Sequence, residues 1–296
     1  MSKNVGEMER ITKKYRKRSR FGTIFHSMKK NKGAMIGFGI LCLIFLTFIA
    51  SLFISYTAMT ATSAANRTLP PSSEFPFGTD SLGRNLFLRV VYGARYSIAI
   101  GFGCTLISLA GGILIGAVSG FYGGMVDNII MRLADIVSSV PGMLFTMVIM
   151  TAFGQSLGNM IFAMGITSIP LYIRITRASV LTVRGYEFVE AAKAIGISDF
   201  RVIYTQVLPN GMAPIIVTVT TGIGMTIMAA AGLSFIGFGV PPPRPEWGGL
   251  VSSGRALLRT APWISGFPGL AIMFVVLAFN MMGDGLRDAL DPKLKR

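Results

Sequence analysis

Apolar residues in this chain come in long runs, at 34–54, 96–120, 129–153, 157–175, 209–230 and 267–282. Most of these runs reach the roughly 20 residues that a helix needs to cross a bilayer. They are rich in Leu, Ile, Met and Gly and show no sustained period-2 alternation, which excludes a β-barrel pattern. The pattern predicts an all-α polytopic membrane protein with about six transmembrane helices. Its organisation reads as a basic N-terminal tail (1–32), a first transmembrane helix (33–55), an extracytoplasmic segment (56–95), a core with five further transmembrane helices (96–285) and a short tail (286–296). Within 56–95, Pro70, Pro71 and Pro76 predict extended, turn-rich chain, and Asp80 or Ser81 is placed to cap a short helix leading to Arg95.

Three features break the apolar pattern inside the core. Gly112, Gly116 and Gly120 repeat at small-xxx-small spacing, which lets helix backbones approach closely. Asp135 is the one acid expected within a span, with Arg132 three residues earlier as the nearest ion-pair partner. Pro141, further along the same run, is placed to kink it. Beyond these, Trp247 and Trp263 read as anchors at an external membrane interface.

The longest polar-containing interruption of the second half is 185–209. Its first part predicts a short amphipathic helix. Phe188, Val189, Ala192 and Ile195 share one side; Glu187, Glu190, Ala191 and Ala194 share another. Gly196 is suited to end that helix with φ > 0. Ser198 or Asp199 is placed to cap a second short helix through Tyr204, and Pro209 to open the next span. Such a segment either packs on its own core or shows its small face to a partner.

Charge gives the orientation. The formal net charge is +15 over 296 residues. With the N-terminus inside, 21 Lys and Arg fall on the cytoplasmic side and 7 outside. Both termini and 185–209 are then cytoplasmic. The basic tail serves topology and attraction to membrane lipid rather than nucleic acid. The cysteines, Cys42 and Cys104, lie within apolar runs, so no disulfide framework is implied.

Catalytic chemistry is not legible in the chain. His26 is the single histidine, so no His-based triad or zinc cluster can be assembled. No Gly-Lys dipeptide occurs, hence no phosphate-binding loop for ATP. With Asp135 alone to carry an ion, any energy for transport is expected from another subunit, which favours a docking role for 185–209.

Here the sequence resembles the membrane subunits of ABC importers. Their Glu-Ala-Ala-x-x-x-Gly signature, closed by Leu-Pro, is matched by Glu190, Ala191, Ala192, Gly196, Leu208 and Pro209. Gln206 stands where an aliphatic is expected and Val207 follows it, which is similar to the peptide-type branch. The stretches at 77–98, 131–144 and 232–250 resemble the subunit conventionally called C of dipeptide, oligopeptide and nickel permeases. The resemblance implies an importer permease core with a cytoplasmic coupling helix. Glu187 and Asp199, beside the signature residues, join them as coupling candidates; Arg132, Asp135 and Pro141 are structural or gating candidates. Implied partners are a homologous second permease subunit, two ABC ATPase subunits that bind ATP and Mg, and an extracellular or periplasmic solute-binding protein. No cofactor or catalysis is expected in this chain. The implied setting is a bacterial or archaeal plasma membrane. The implied cargo is a dipeptide or oligopeptide; a nickel chelate or other small solute is the alternative within the family. Outside it stand a secondary transporter driven through Asp135 and a membrane scaffold.

Overall fold

The computed structural model describes residues 28–290; the rest of the basic tail and the last six residues lie outside the described residues. Helix α1 (Lys32–Phe53) starts where the Asn31 side chain accepts from the Ala34 N–H at 3.1 Å. A one-turn helix, α2 (Tyr56–Thr60), and a turn-rich segment lead to α3 (Leu86–Tyr122). The cap of α3 is Asn85, which accepts from Leu88 N, rather than Asp80 or Ser81. Asp80 instead gathers the turn before it. At 37 residues, α3 is about 55 Å long, well beyond the roughly 30 Å of a bilayer core. Its first turns are the short helix expected to lead to Arg95, here continuous with the span that follows.

Helices α4 (Gly124–Ser139) and α5 (Gly142–Phe153) replace the single span expected at 129–153. They meet at 79°. Pro141 at the junction has no N–H to give and its ring clashes with the preceding turn, so the helix breaks there instead of bending gently. After α6 (Leu157–Arg184) come α7 (Glu187–Ala194) and α8 (Asp199–Val202). A π turn at Ile203–Val207 then joins α8 directly to α9 (Leu208–Phe235). A break before Pro209 was expected. The wider turn, closed by Leu208 N to Ile203 O, carries the helix past the proline. Helices α10 (Trp247–Gly254) and α11 (Trp263–Leu290) complete the chain.

Among the described residues, four helices are long and apolar enough to span a membrane, five if α4 and α5 count as one bent span. Expected as the sixth, α6 has the length, but Arg174, Arg177 and Arg184 make its second half polar.

Glycine sets the closest packing. A Cβ on Gly116 would lie 2.6 Å from the Ile173 carbonyl, and one on Gly120 2.8 Å from that of Arg177. The contacts advance together along both chains, so α3 and α6 run parallel, locked backbone to backbone. By contrast α9 and α11 are antiparallel, Gly283 facing Thr221 and Gly224 facing Val276. So are α1 and α11, with Gly37 against Ala278 and Met281, and Gly285 against Ala34. Asn31 Nδ2 reaches Asp288 Oδ2 at 2.9 Å. Both ends of the described chain, and 185–207, therefore lie at one end of the bundle.

The far end is held by buried polar groups. Trp247 is not an interface anchor: it is buried, and its indole N–H donates to the Val90 carbonyl at 2.8 Å. Trp263 is half-buried, with its N–H 3.3 Å from the Thr79 carbonyl. The indoles pack inward because each finds a carbonyl there to satisfy its one donor.

Candidate functional site

The segment 185–209 begins at the C-terminal ends of α3 and α6. Arg184 Nη1 donates to the Gly120 carbonyl at 2.8 Å and to that of Phe121 at 3.3 Å. These carbonyls are among the last of α3, where a cation is favoured by the helix dipole. Helix α7 then lies across that platform. Glu187 and Glu190 fall in its first turn and Lys193 in its last, each matching the dipole. The Lys193 ammonium sits 4.2 Å above the Phe121 ring.

Only two side chains of α7 point inward. Val189 and Ala192 are buried in a cluster with Ala117, Phe121, Val180 and Val183. Phe188 and Ile195, expected on the same side, are 40% and 78% exposed. An eight-residue helix resting on a convex surface buries a single line of contacts, so its flanking apolar positions stay out. Ala192 and Leu208, both coupling candidates, are buried against the chain itself and have no face left to show a partner.

The end of α7 is a Schellman motif. Gly196 takes φ +83°, its N–H bonds to Lys193 O at 2.9 Å, and Ile197 N–H bonds to Ala192 O at 3.2 Å. Ile197 packs on the cluster beneath, which fixes the exit direction of the chain. Ser198 stands at the N-cap position of α8 without a side-chain bond, and Asp199 is in the first turn. Val202 and Val207 return to the cluster.

What remains outward is one continuous surface. It carries Glu187, Glu190, Ala191 and Ala194, rimmed by Phe188, Ile195, Phe200 and Tyr204. The Phe200 and Tyr204 rings meet at 4.7 Å between centroids, tilted by 47°. Small residues let a partner's backbone approach, while the rim supplies exposed apolar area and the acids supply charge. Pro209 is exposed on the flank.

Arg132, Asp135 and Pro141 lie elsewhere, on α4 and at its break. Asp135 pairs with Arg174 of α6 at 2.9 Å, not with Arg132. Its partner is a neighbour in space that no i−3 spacing announces.

Two acids are buried at the far end: Asp80, expected only as a helix cap, and Glu246, which the sequence did not single out. Asp80 Oδ1 accepts from Leu82 N at 2.9 Å and Arg84 N at 3.0 Å. Its Oδ2 takes the Arg84 Nε at 2.7 Å and also the buried Arg89 guanidinium. Burial pushes the Asp80 carboxyl up, but the Arg84 N–H, the two guanidiniums and the Leu82 N–H outweigh it and hold the carboxyl below its ordinary value. Arginines at four and nine residues after the acid were the available signal. Glu246 caps α10, accepting from Gly248 N at 2.8 Å and Gly249 N at 2.9 Å. Ser234 Oγ donates to the Oε2 that also accepts from Gly249, at 2.7 Å, and Trp247 N donates to Ser97 Oγ at 3.1 Å. An acid directly before Trp-Gly-Gly carries only a weak capping signal.

The described residues thus form a helical core with four or five candidate membrane spans and a short acidic helix seated on the ends of two locked helices. Residues 112–296 match the model of the binding-protein-dependent transport system inner membrane component. The chain belongs to that family. Residues 19–71 also match the N-terminal TM domain of oligopeptide transport permease C. The dipeptide transport system permease protein DppC of Alkalihalophilus pseudofirmus is 43% identical over 92% of this chain and 89% of its own. The oligopeptide transport system permease protein OppC of Bacillus subtilis is 39% identical over 99% of this chain and 95% of its own. An inward-facing MetNI methionine ABC transporter shares the fold, with TM-score 0.59 at 14% identity, covering 70% of this chain and 98% of that one.

Proposed function

We propose that this chain is a permease subunit of an ATP-driven importer of dipeptides or oligopeptides. It works with a homologous second permease subunit, two ABC ATPase subunits and an extracellular or periplasmic solute-binding protein. ATP and Mg belong to the ATPases, and no catalysis to this chain. It lies in a bacterial or archaeal plasma membrane with both termini cytoplasmic. The observation that carries the coupling role is the exposed acidic and small-residue face of α7, seated on the glycine-locked pair α3–α6. The peptide cargo is supported by the relatives named above.

The geometry suggests how force passes. A push on α7 enters through Val189 and Ala192 into Phe121, Val180 and Val183, the ends of two parallel helices in backbone contact. Those helices then move as one body rather than sliding past each other. ATP binding closes the ATPase pair and tips this body so that the permease pair opens outward; hydrolysis resets it. Asp135 already carries an arginine counter-charge, Arg174 at 2.9 Å, which works against its use as the carrier in an ion-driven alternative.

Glu190→Lys and Gly196→Pro test the reading. Glu190→Lys reverses the charge of the docking face. Gly196→Pro cannot adopt φ +83° and so removes the turn that ends α7. Each is expected to abolish peptide uptake in the assembled transporter while membrane insertion persists. Normal uptake by either variant would refute the coupling role.

A further inference from the structure

Asp135, Ser138 and Arg174 form a polar cluster that neither the bundle core nor the docking segment uses. Arg174 Nη2 donates to Asp135 Oδ1 at 2.9 Å and to Ser138 Oγ at 3.1 Å. The carboxylate side chain is 59% exposed and the guanidinium side chain 41%. Other carboxylates in ion pairs among the described residues are mostly hidden: Asp80 at 3% and Asp127 at 13%. Against the pairs of Asp80 and Asp127, that of Asp135 is open.

Its surroundings matter. Around the pair, α4 and α6 expose large apolar side chains: Leu133 and Ile136 are 58% and 65% exposed, and Leu171 51%. Acyl chains solvate neither charge, so a charged pair on such a surface faces a bundle interior, another subunit or a water-filled cavity. The surface that carries this cluster is therefore not a lipid face.

The chemistry of the cluster is the complement of a zwitterion. A carboxylate accepts from an α-ammonium, a guanidinium donates to an α-carboxylate, and the Ser138 hydroxyl can do either. When no solute is present, the two charges neutralise each other. A solute that carries both charges exchanges one ion pair for two.

We propose that Asp135, Ser138 and Arg174 line the aqueous path through the assembled permease pair and contact the charged termini of a small zwitterionic peptide in transit. This inference rests on the importer reading above. The same surface covered tightly by the second permease subunit is the competing outcome.

The test uses the complete transporter in vesicles, with Cys42 and Cys104 replaced by serine in the parent. Ser138→Cys and, as a lipid-facing control, Leu46→Cys are exposed to a charged, water-soluble thiol reagent. Ser138→Cys is expected to react and Leu46→Cys not to. Dialanine with the binding protein and ATP, at about ten times half-saturation, should slow the reaction roughly tenfold. In otherwise native chains, Asp135→Asn and Arg174→Gln should each raise the KM for dialanine uptake about tenfold with kcat less affected, as loss of one charge-assisted contact predicts. A packing role alone would not give that split. A parent that imports dialanine while Ser138→Cys stays unreactive, or reacts no faster than Leu46→Cys, overturns the inference and leaves the importer reading standing. A parent that imports no dialanine overturns the peptide reading and the inference with it.

Discussion

The two ends of the bundle are built on opposite principles. At one end, α7 rests on its neighbours through Val189 and Ala192, and large apolar side chains such as Ile195 and Phe200 are left exposed. At the far end, Asp80 and Glu246 are buried and surrounded by donors, and Trp247 is fixed by its own hydrogen bond. Apolar contacts are non-directional and tolerate a tilt. A buried carboxylate held by several donors tolerates little, since each lost bond leaves an unpaired group out of water. The difference teaches which end is suited to follow a moving partner and which is suited to hold the external segment and α10 in place.

Removing a charge at the far end should have the largest effect on stability. Asp80→Asn leaves the buried Arg89 guanidinium without its counter-ion, a change of about 3–5 kcal/mol for a broken buried pair. Thermal unfolding in detergent should show it as a clear fall in midpoint. The same group makes a pH prediction. Its folded pKa is depressed, so its stabilisation is complete above the ordinary carboxylate value of about 3.9. It is lost progressively as pH falls below that value and through the folded pKa. The parent should lose more midpoint than Asp80→Asn on acidification through this window; equal losses would show that the far end is not held by charge.

Next comes Glu246→Ala, which strips the cap from α10 and leaves Ser234 Oγ without its 2.7 Å partner. About 1–3 kcal/mol is expected, read by the same melt and by faster proteolysis near 236–246. Glu246→Gln keeps an acceptor oxygen and should lose less. A variant as stable as the parent would make the two ends alike.

The smallest effect on the isolated chain is expected from Ile195→Ala. This side chain is 78% exposed, so unfolding should shift by less than about 0.5 kcal/mol. Co-purification with the ATPase subunits should nevertheless weaken, since the exposed rim of α7 has no other contact to lose. A large stability loss with intact association would place Ile195 in the wrong group.

Much of the architecture was legible in the chain. Long apolar runs announced the spanning helices because a bilayer selects for composition over about 20 residues, whatever the neighbours. The Gly112, Gly116 and Gly120 spacing announced close packing, and the structure supplies the partner, α6. The end of α7 at Gly196 was equally local, since only glycine takes φ +83° without strain. The continuous passage of α8 into α9 was not, because a π turn leaves no compositional mark beyond the proline it serves.

The sequence by itself determined an all-α membrane chain, the amphipathic run that forms α7, its end at Gly196, and the proline at which the run 129–153 is interrupted. Each of these follows from local solvent preference or from backbone stereochemistry. Tertiary structure alone decided the 79° angle at that break and the choice of Arg174 over Arg132 for Asp135. It also decided that Trp247 lies inside and that Phe188 and Ile195 lie outside. These depend on which surfaces meet across distant parts of the chain, and a helix offers several faces of similar apolarity until a neighbour covers one of them.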